Sequence, residues 1–234
     1  MVARPPGLLY NGDMALVFDD LQLDGLGAWR DTEGYAYGSD AVLLANAVKA
    51  RPGERVLELC AGNGVVSILA ARKTGARFLA VEWQEAACRL ARRSAEDNRQ
   101  QPEIEILCAD LRNLHTLIPP GAFDAACCNP PYHAGGTEGK HALSTHQGCC
   151  TLEDAAAAAA RMLKNGGRFY LTYPAGGFAE ACWTLTGQGL RPKRVTPVFG
   201  RRGKPPYLCL IECKKGAAPG LAWGEPIILK EGPK

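Results

Sequence analysis

Within this 234-residue chain, the tetrapeptide Asn129-Pro130-Pro131-Tyr132 carries the side chains best suited to chemistry on a planar nitrogen. An exocyclic amine or an amide nitrogen is a poor nucleophile, because its lone pair is delocalised into the adjacent π-system. Two fixed acceptors on its N–H bonds localise that lone pair. The Asn129 side-chain oxygen can supply one acceptor and the Pro130 backbone carbonyl the other, and the prolines hold both rigid. Tyr132 offers a face on which a planar group stacks. Two prolines also end a strand ladder, so the tetrapeptide gains its chemical meaning from its company.

That company begins with Glu58-Leu59-Cys60-Ala61-Gly62-Asn63-Gly64. A Gly-rich turn between a strand and a helix is where open α/β sheets bind ligands, since glycine lets the backbone approach without a Cβ clash. Only two of the three glycines of a dinucleotide fingerprint are present, with Ser67 standing where the third would be. The loop carries no lysine, and Glu58 lies upstream. A carboxylate there repels a diphosphate and suits the cationic amino group of a methionine moiety. Glu82 follows Gly62 by twenty residues, at the end of the next apolar run, where an acid accepts both hydroxyls of a ribose. Asp110, just past a third such run, falls in the same crevice. Each acid alone could be a solvated strand end. Three in strand-end register favour S-adenosylmethionine over NAD or ATP, and with it transfer of a methyl group from sulfonium to nitrogen. Such a transfer depends on in-line positioning and on stabilising positive charge at nitrogen.

The elements that must position these residues alternate from residue 55 onward. Strands are expected at 55–60, 77–82, 103–108, 123–128, 168–173, 192–199 and 206–213, the last two forming a closing pair. Helices are expected at 65–73, 84–98 and 177–188, and another starts after Thr151 and its first-turn acids and stops at Asn165-Gly166-Gly167. This pattern predicts an α/β fold: a Rossmann-like, seven-stranded, mainly parallel sheet with helices on both faces and a C-terminal antiparallel hairpin. Residues 1–50 read as a lid or edge segment with one helix capped at Ser39, and residues 51–234 as the catalytic domain.

With the Glu-x-Cys-x-Gly-x-Gly loop, Glu82, Asp110 and Asn-Pro-Pro-Tyr in this order, the chain resembles the class I S-adenosylmethionine-dependent methyltransferases, amino-methylating branch, over about residues 34–213. The block Tyr37-Gly38-Ser39-Asp40-Ala41-Val42-Leu43-Leu44-Ala45 looks like that of the bacterial tRNA adenine-N6 methyltransferases that modify the adenosine 3′ to the anticodon of a valine tRNA. The resemblance implies Glu58, Gly62 and Asn63 around the methionine part of the cofactor, Glu82 at its ribose and Asp110 at its adenine amino group. Asp40, Cys60, Gly64, Trp83, Leu111 and Asn129 complete the implied cofactor contacts, and Asn129, Pro130 and Tyr132 would hold the target base. Cys60 departs from the family's common first glycine, and Ser144-Thr145-His146-Gln147 matches the family's basic pattern only at the histidine.

Charge and composition bear on the partner. The net charge of +3, with 47% hydrophobic and 22% charged residues, describes an ordinary globular protein. Residues 191–215, however, hold eight Lys or Arg against one acid, Glu212. A local basic field is the footprint of phosphate binding, so Arg191, Lys193, Arg194, Arg201, Arg202 and Lys204 are the expected RNA contacts, with tRNA the expected substrate. Charge that merely keeps an edge hairpin soluble is the plainer account. No RRM or KH signature is present. The segment 133–150, with Lys140 and His146, has the length of a functional loop. Ten cysteines without an apolar export segment suggest reduced thiols in a cytoplasm. No run reaches the ~18 apolar residues of a membrane span, and the adjacent pairs Cys127-Cys128 and Cys149-Cys150 do not form a zinc pattern, so neither membrane nor metal is expected. Three other readings share these motifs: a protein-glutamine methyltransferase, an rRNA guanine-N2 methyltransferase, and a non-catalytic RNA-binding subunit that keeps the fold.

Overall fold

The computed structural model describes residues 8–11, 14–32, 37–130 and 150–230. Three strands, β1 (Leu8–Asn11), β2 (Met14–Asp20) and β3 (Gly27–Asp31), form a small antiparallel sheet, followed by helix α1 (Ser39–Ala47). Then strands and helices alternate: β4 (Arg55–Leu59), α2 (Val65–Thr74), β5 (Arg77–Glu82), α3 (Glu85–Asp97), β6 (Ile104–Cys108), a 3-10 turn (Leu111–Thr116) and β7 (Phe123–Cys128). The described chain continues through α4 (Leu152–Met162), β8 (Leu163–Pro174), α5 (Phe178–Gly187), β9 (Leu190–Phe199), β10 (Leu208–Lys215) and two short strands, β11 (Ala222–Trp223) and β12 (Ile227–Ile228).

The large sheet runs β11-β9-β10-β8-β7-β4-β5-β6, with β12 also on β9. β8, β7, β4, β5 and β6 are mutually parallel, and β10 is antiparallel to both β8 and β9. This is the seven-stranded, mainly parallel arrangement expected, extended at one edge by two two-residue strands too short to leave a periodicity in sequence. The central strands are buried on both faces, which is why they read as continuous apolar runs. Leu57, Leu59, Leu79 and Cys128 pack toward α4 and α5, while Val56, Phe78, Ala125 and Cys127 pack toward α1 and α2.

Thr151 caps α4 in a capping box with Asp154, and the fully buried Ala155, Ala156 and Ala159 bring that helix close against the sheet. The helix ends earlier than expected, at Met162, and β8 begins at once. The register moves from Phe123↔Leu163 to Ala125↔Arg168, so the Asn165-Gly166-Gly167 turn bulges out of the strand instead of separating it from the helix. Ser39 does not cap α1; the N-cap is Gly38, without a side-chain bond. The strands β1–β3 were not foreseen. They attach through Trp29, which is fully buried: its backbone N–H donates to Ser94 Oγ at 2.8 Å, its Nε1 to Asp97 Oδ2 at 2.6 Å, and the Arg93 guanidinium lies 4.1 Å from its ring. Among the described residues no helix is long and apolar enough to cross a membrane.

Candidate active site

Parallel pairing of β7, β4, β5 and β6 brings their C-terminal ends side by side, and a cleft of roughly 1100 Å³, including its open mouth, lies across them. Eleven residues singled out from sequence line it: Asp40, Glu58, Cys60, Gly62, Asn63, Glu82, Trp83, Asp110, Leu111, Asn129 and Pro130. Tyr37, Gln84 and Cys150 line it as well and were not foreseen as contacts. Tyr132, Lys140 and His146 lie outside the described residues. Gly64 does not line the cleft. It turns the chain into α2 at φ +83°, and a Cβ there would stand 3.3 Å from that of Ala91 on α3, so its smallness serves helix packing.

Glu82, expected at a ribose, is held by the Gly-rich loop and by the chain that follows it. Its Oε2 accepts from Gly62 N at 2.9 Å, and its Oε1 from Trp83 N at 3.0 Å and Gln84 N at 2.9 Å. Three backbone donors fix the carboxylate at the cleft wall. Glu58, 2% exposed, accepts at one oxygen from both the backbone N–H and the hydroxyl of Ser67, in the first turn of α2. Burial pushes its carboxyl up to about 8 despite those bonds. Burial thus works against the ionised form that the sequence reading assumes for Glu58 near neutral pH. Ser67, expected only as a missing glycine, is its partner.

The other expected contacts are also engaged. Asp110 holds Arg112 through both carboxylate oxygens, at 2.6–2.9 Å, and the Arg112 bond keeps it below the usual carboxylate range. Asn63 Nδ2 donates to the Trp29 carbonyl at 3.2 Å, tying the Gly-rich loop to β3. Asn129 Oδ1 accepts from the hydroxyl of Thr172, fully buried on β8, at 2.6 Å. An amide oxygen can accept two hydrogen bonds, and this one orients the carboxamide. Cys60 occupies φ +57°, unusual for a residue with a side chain, and its Sγ lies 3.2 Å from that of Cys150. A hydrogen bond with Cys128 and burial hold the Cys60 thiol well above the usual thiol range, hence neutral.

A family model described as Methyltransferase small domain matches residues 36–175. The chain belongs to that family. It is an S-adenosylmethionine-dependent methyltransferase. The chain is 24% identical to a tRNA1(Val) (adenine(37)-N6)-methyltransferase of Shewanella sediminis (strain HAW-EB3), over 93% of this chain and 92% of the relative. It is 28% identical to the protein of the same name from Phocaeicola vulgatus (strain ATCC 8482), over 76% of each. In fold it is similar to the crystal structure of a predicted O-methyltransferase from Agrobacterium tumefaciens, with TM-score 0.68 and 24% identity, covering 82% of this chain and 88% of the other.

The basic residues of this methyltransferase do not form one patch. β9 runs parallel to β8, and pairing through Lys214 and Arg168 sets Arg191 level with Ala125, near the start of β7. Lys193 lies at the same end and donates to the Ala218 carbonyl at 3.3 Å. Arg194 pairs with Glu212, level with Cys127. Arg201, Arg202 and Lys204, all exposed, lie beyond the other end of β9, on the side of the cleft. Along β9, Arg194 and Arg191 lie about 17 Å and about 26 Å from its cleft end at Phe199. Among the described residues no cluster of three or more His, Cys, Asp or Glu is arranged to hold a metal ion.

Proposed function

We propose that this methyltransferase acts on the exocyclic N6 amine of an adenine in RNA, the adenosine 3′ to a tRNA anticodon being the favoured target. The observation that carries the reading is the Asn129 carboxamide, held by Thr172 at the rim of a cleft whose floor gathers Glu58 and Glu82. The relatives named for adenine(37)-N6 methylation align with this chain over most of both lengths, which supports the same substrate.

The cleft residues fit the cofactor. Bound there, S-adenosylmethionine supplies an electrophilic methyl group on sulfur. Glu82, already oriented by three N–H groups, would take the ribose hydroxyls, with Trp83 beside it. Asp110 and Leu111 would meet the adenine, while Asp40, Glu58, Cys60, Gly62 and Asn63 surround the methionine part. The Asn129 side-chain oxygen would accept one N–H of the target amine, and the Pro130 carbonyl the other. The nitrogen lone pair is thereby turned out of the ring's π-system toward the methyl group. Tyr132 takes a face of the base. On this reading residues 51–234 form the catalytic domain and residues 1–50 an edge segment that lends the cleft Tyr37 and Asp40.

The test is to incubate the protein with methyl-labelled cofactor and separate pools of tRNA, rRNA and peptide release factor. Label is expected in tRNA, recovered as N6-methyladenosine after digestion. Label in a glutamine of the release factor, or in guanine of rRNA, would overturn the substrate while leaving the tetrapeptide's chemistry intact.

A further inference from the structure

Tyr207 lies just before β10, and none of the chemistry above uses it. Its side chain is 40% exposed, and its hydroxyl lies 3.3 Å from Asp40 Oδ1 and 3.4 Å from Ser39 Oγ at the start of α1. Asp40 is itself part of the cleft wall, so the ring stands at the cleft rim. Its backbone is fixed on both sides: Tyr207 N donates to the Val198 carbonyl at 2.9 Å, and its own carbonyl accepts from Ala175 N at 3.0 Å. The residue is therefore a partly exposed aromatic on a fixed backbone.

The register gives its distance from the chemistry. Cys128 pairs with Leu171, so Asn129 is level with Thr172, and Leu208 pairs with Pro174. Tyr207 thus stands three residues further toward the cleft end and two strands across, about 10 Å along and about 10 Å sideways from Asn129 in backbone position. The two components combine to about 14 Å between backbone positions, a span for the two side chains, an extruded adenine and the base next to it to bridge. The loop leading into Tyr207 contains the exposed Arg201, Arg202 and Lys204. Gly200 lies beside the ring: a Cβ there would be 3.9 Å from Tyr207 Cδ1, so a longer side chain would pack against the ring.

An aromatic face next to a cluster of cations is how single-stranded nucleic acid is held, with a base stacked on the ring and phosphates on the cations. We propose that Tyr207 is the stacking platform for the nucleotide adjoining the target adenine, and that Arg201, Arg202 and Lys204 hold the phosphates of that stretch. The carboxylate of Asp40 bonds the hydroxyl edge and keeps phosphate away from it, which directs a base rather than backbone onto the ring. This placement rests on the RNA reading above and adds a recognition element to it. The ring would hold the strand in the unstacked form that an extruded adenine requires.

The experiment uses a short RNA stem-loop containing the target adenine, with 2-aminopurine placed in turn on each side of it. Stacking on the wild-type ring is expected to quench the fluorophore at one of the two positions. In Tyr207→Ala the quench should disappear and the RNA Kd should rise about 5- to 150-fold, the range for loss of one base–aromatic stack. Tyr207→Phe should restore both, since the ring and not the hydroxyl does the stacking. Gly200→Leu, which keeps Tyr207 in place, should also weaken binding by crowding the ring. Unchanged quench and affinity in Tyr207→Ala, with the wild type still methylating RNA, would overturn the platform and leave the proposed function standing. A Tyr207→Phe protein as defective as Tyr207→Ala would overturn it too, showing that the bond to Asp40 matters and not the ring. Failure of the wild type to bind or methylate the RNA would overturn both.

Discussion

At the scale of single residues, the cleft works by restricting polar groups before anything binds. Glu58 illustrates this most sharply, because its carboxyl is pushed from about 4.5 to about 8 by burial. A group raised in the folded state binds more protons folded than unfolded between those values, so its effect is to make stability fall as pH rises through that window. Glu58→Gln should therefore flatten the decline of Tm between about pH 5 and 8, as followed by thermal melts. A cation drawn beside Glu58 favours its ionised form, so cofactor binding near pH 7 should release most of one proton. Calorimetry in buffers of different ionisation enthalpy measures that release, and it should vanish in Glu58→Gln. Asn129 answers to a different readout. Asn129→Ala should leave cofactor affinity within a few-fold and reduce turnover more than tenfold, because the carboxamide acts on the amine. Thr172→Val, which removes the hydroxyl that orients that carboxamide, should cost roughly tenfold in kcat with similar cofactor affinity, in line with about 1.4 kcal/mol for one buried hydrogen bond. The acids and Asn129 were legible in the sequence because they sit where strands end. Their partners Ser67 and Thr172 were not: Thr172 reaches Asn129 across 43 residues only because β8 pairs with β7.

At the scale of elements, the alternation from Arg55 onward could be read because buried parallel strands are apolar throughout and their helices are punctuated by glycine and capped by threonine. The same rules failed where pairing is local and short. Of the three strands, β3 packs on α3 and anchors the small sheet through Trp29, a contact that leaves no periodicity in fewer than eight residues per strand. The Asn165-Gly166-Gly167 turn was taken for a boundary because a glycine pair ordinarily stops a helix, whereas the strand absorbs it as a bulge. Gly64 separates a structural from a binding role at the start of α2. Its φ of +83° and the 3.3 Å approach to Ala91 both penalise a side chain. Gly64→Ala should destabilise the fold by about 1–2 kcal/mol, a Tm lower by roughly 2–8 °C for a chain of this length. Well below that Tm its cofactor affinity should stay within a few-fold of wild type. A collapse of cofactor affinity with an unshifted Tm would instead assign Gly64 to the cofactor.

At the scale of the whole molecule, the strand order decides which charges can serve the cleft. The sequence concentrates basic residues in one stretch, but β9 spreads them along the sheet, with Arg191 and Lys193 about 20–26 Å from its cleft end. Only Arg201, Arg202 and Lys204 lie on the side where the strand ends gather Glu58, Glu82 and Asn129. Each lysine or arginine that neutralises a phosphate releases bound counterions, so each lost contact removes nearly one unit from the slope of log K against log salt. The triple variant Arg201→Ala, Arg202→Ala, Lys204→Ala should therefore bind tRNA more weakly at low salt and flatten that slope by about two to three units. The pair Arg191→Ala, Lys193→Ala, at the opposite end of β9, should change it by less than about one unit. Filter binding across a salt series measures both, with cofactor affinity as the check that each variant is folded. Equal flattening in the two variants would mean that the RNA runs the length of the strand, and a triple variant with the wild-type slope would leave the loop as a charged edge that only keeps the hairpin soluble.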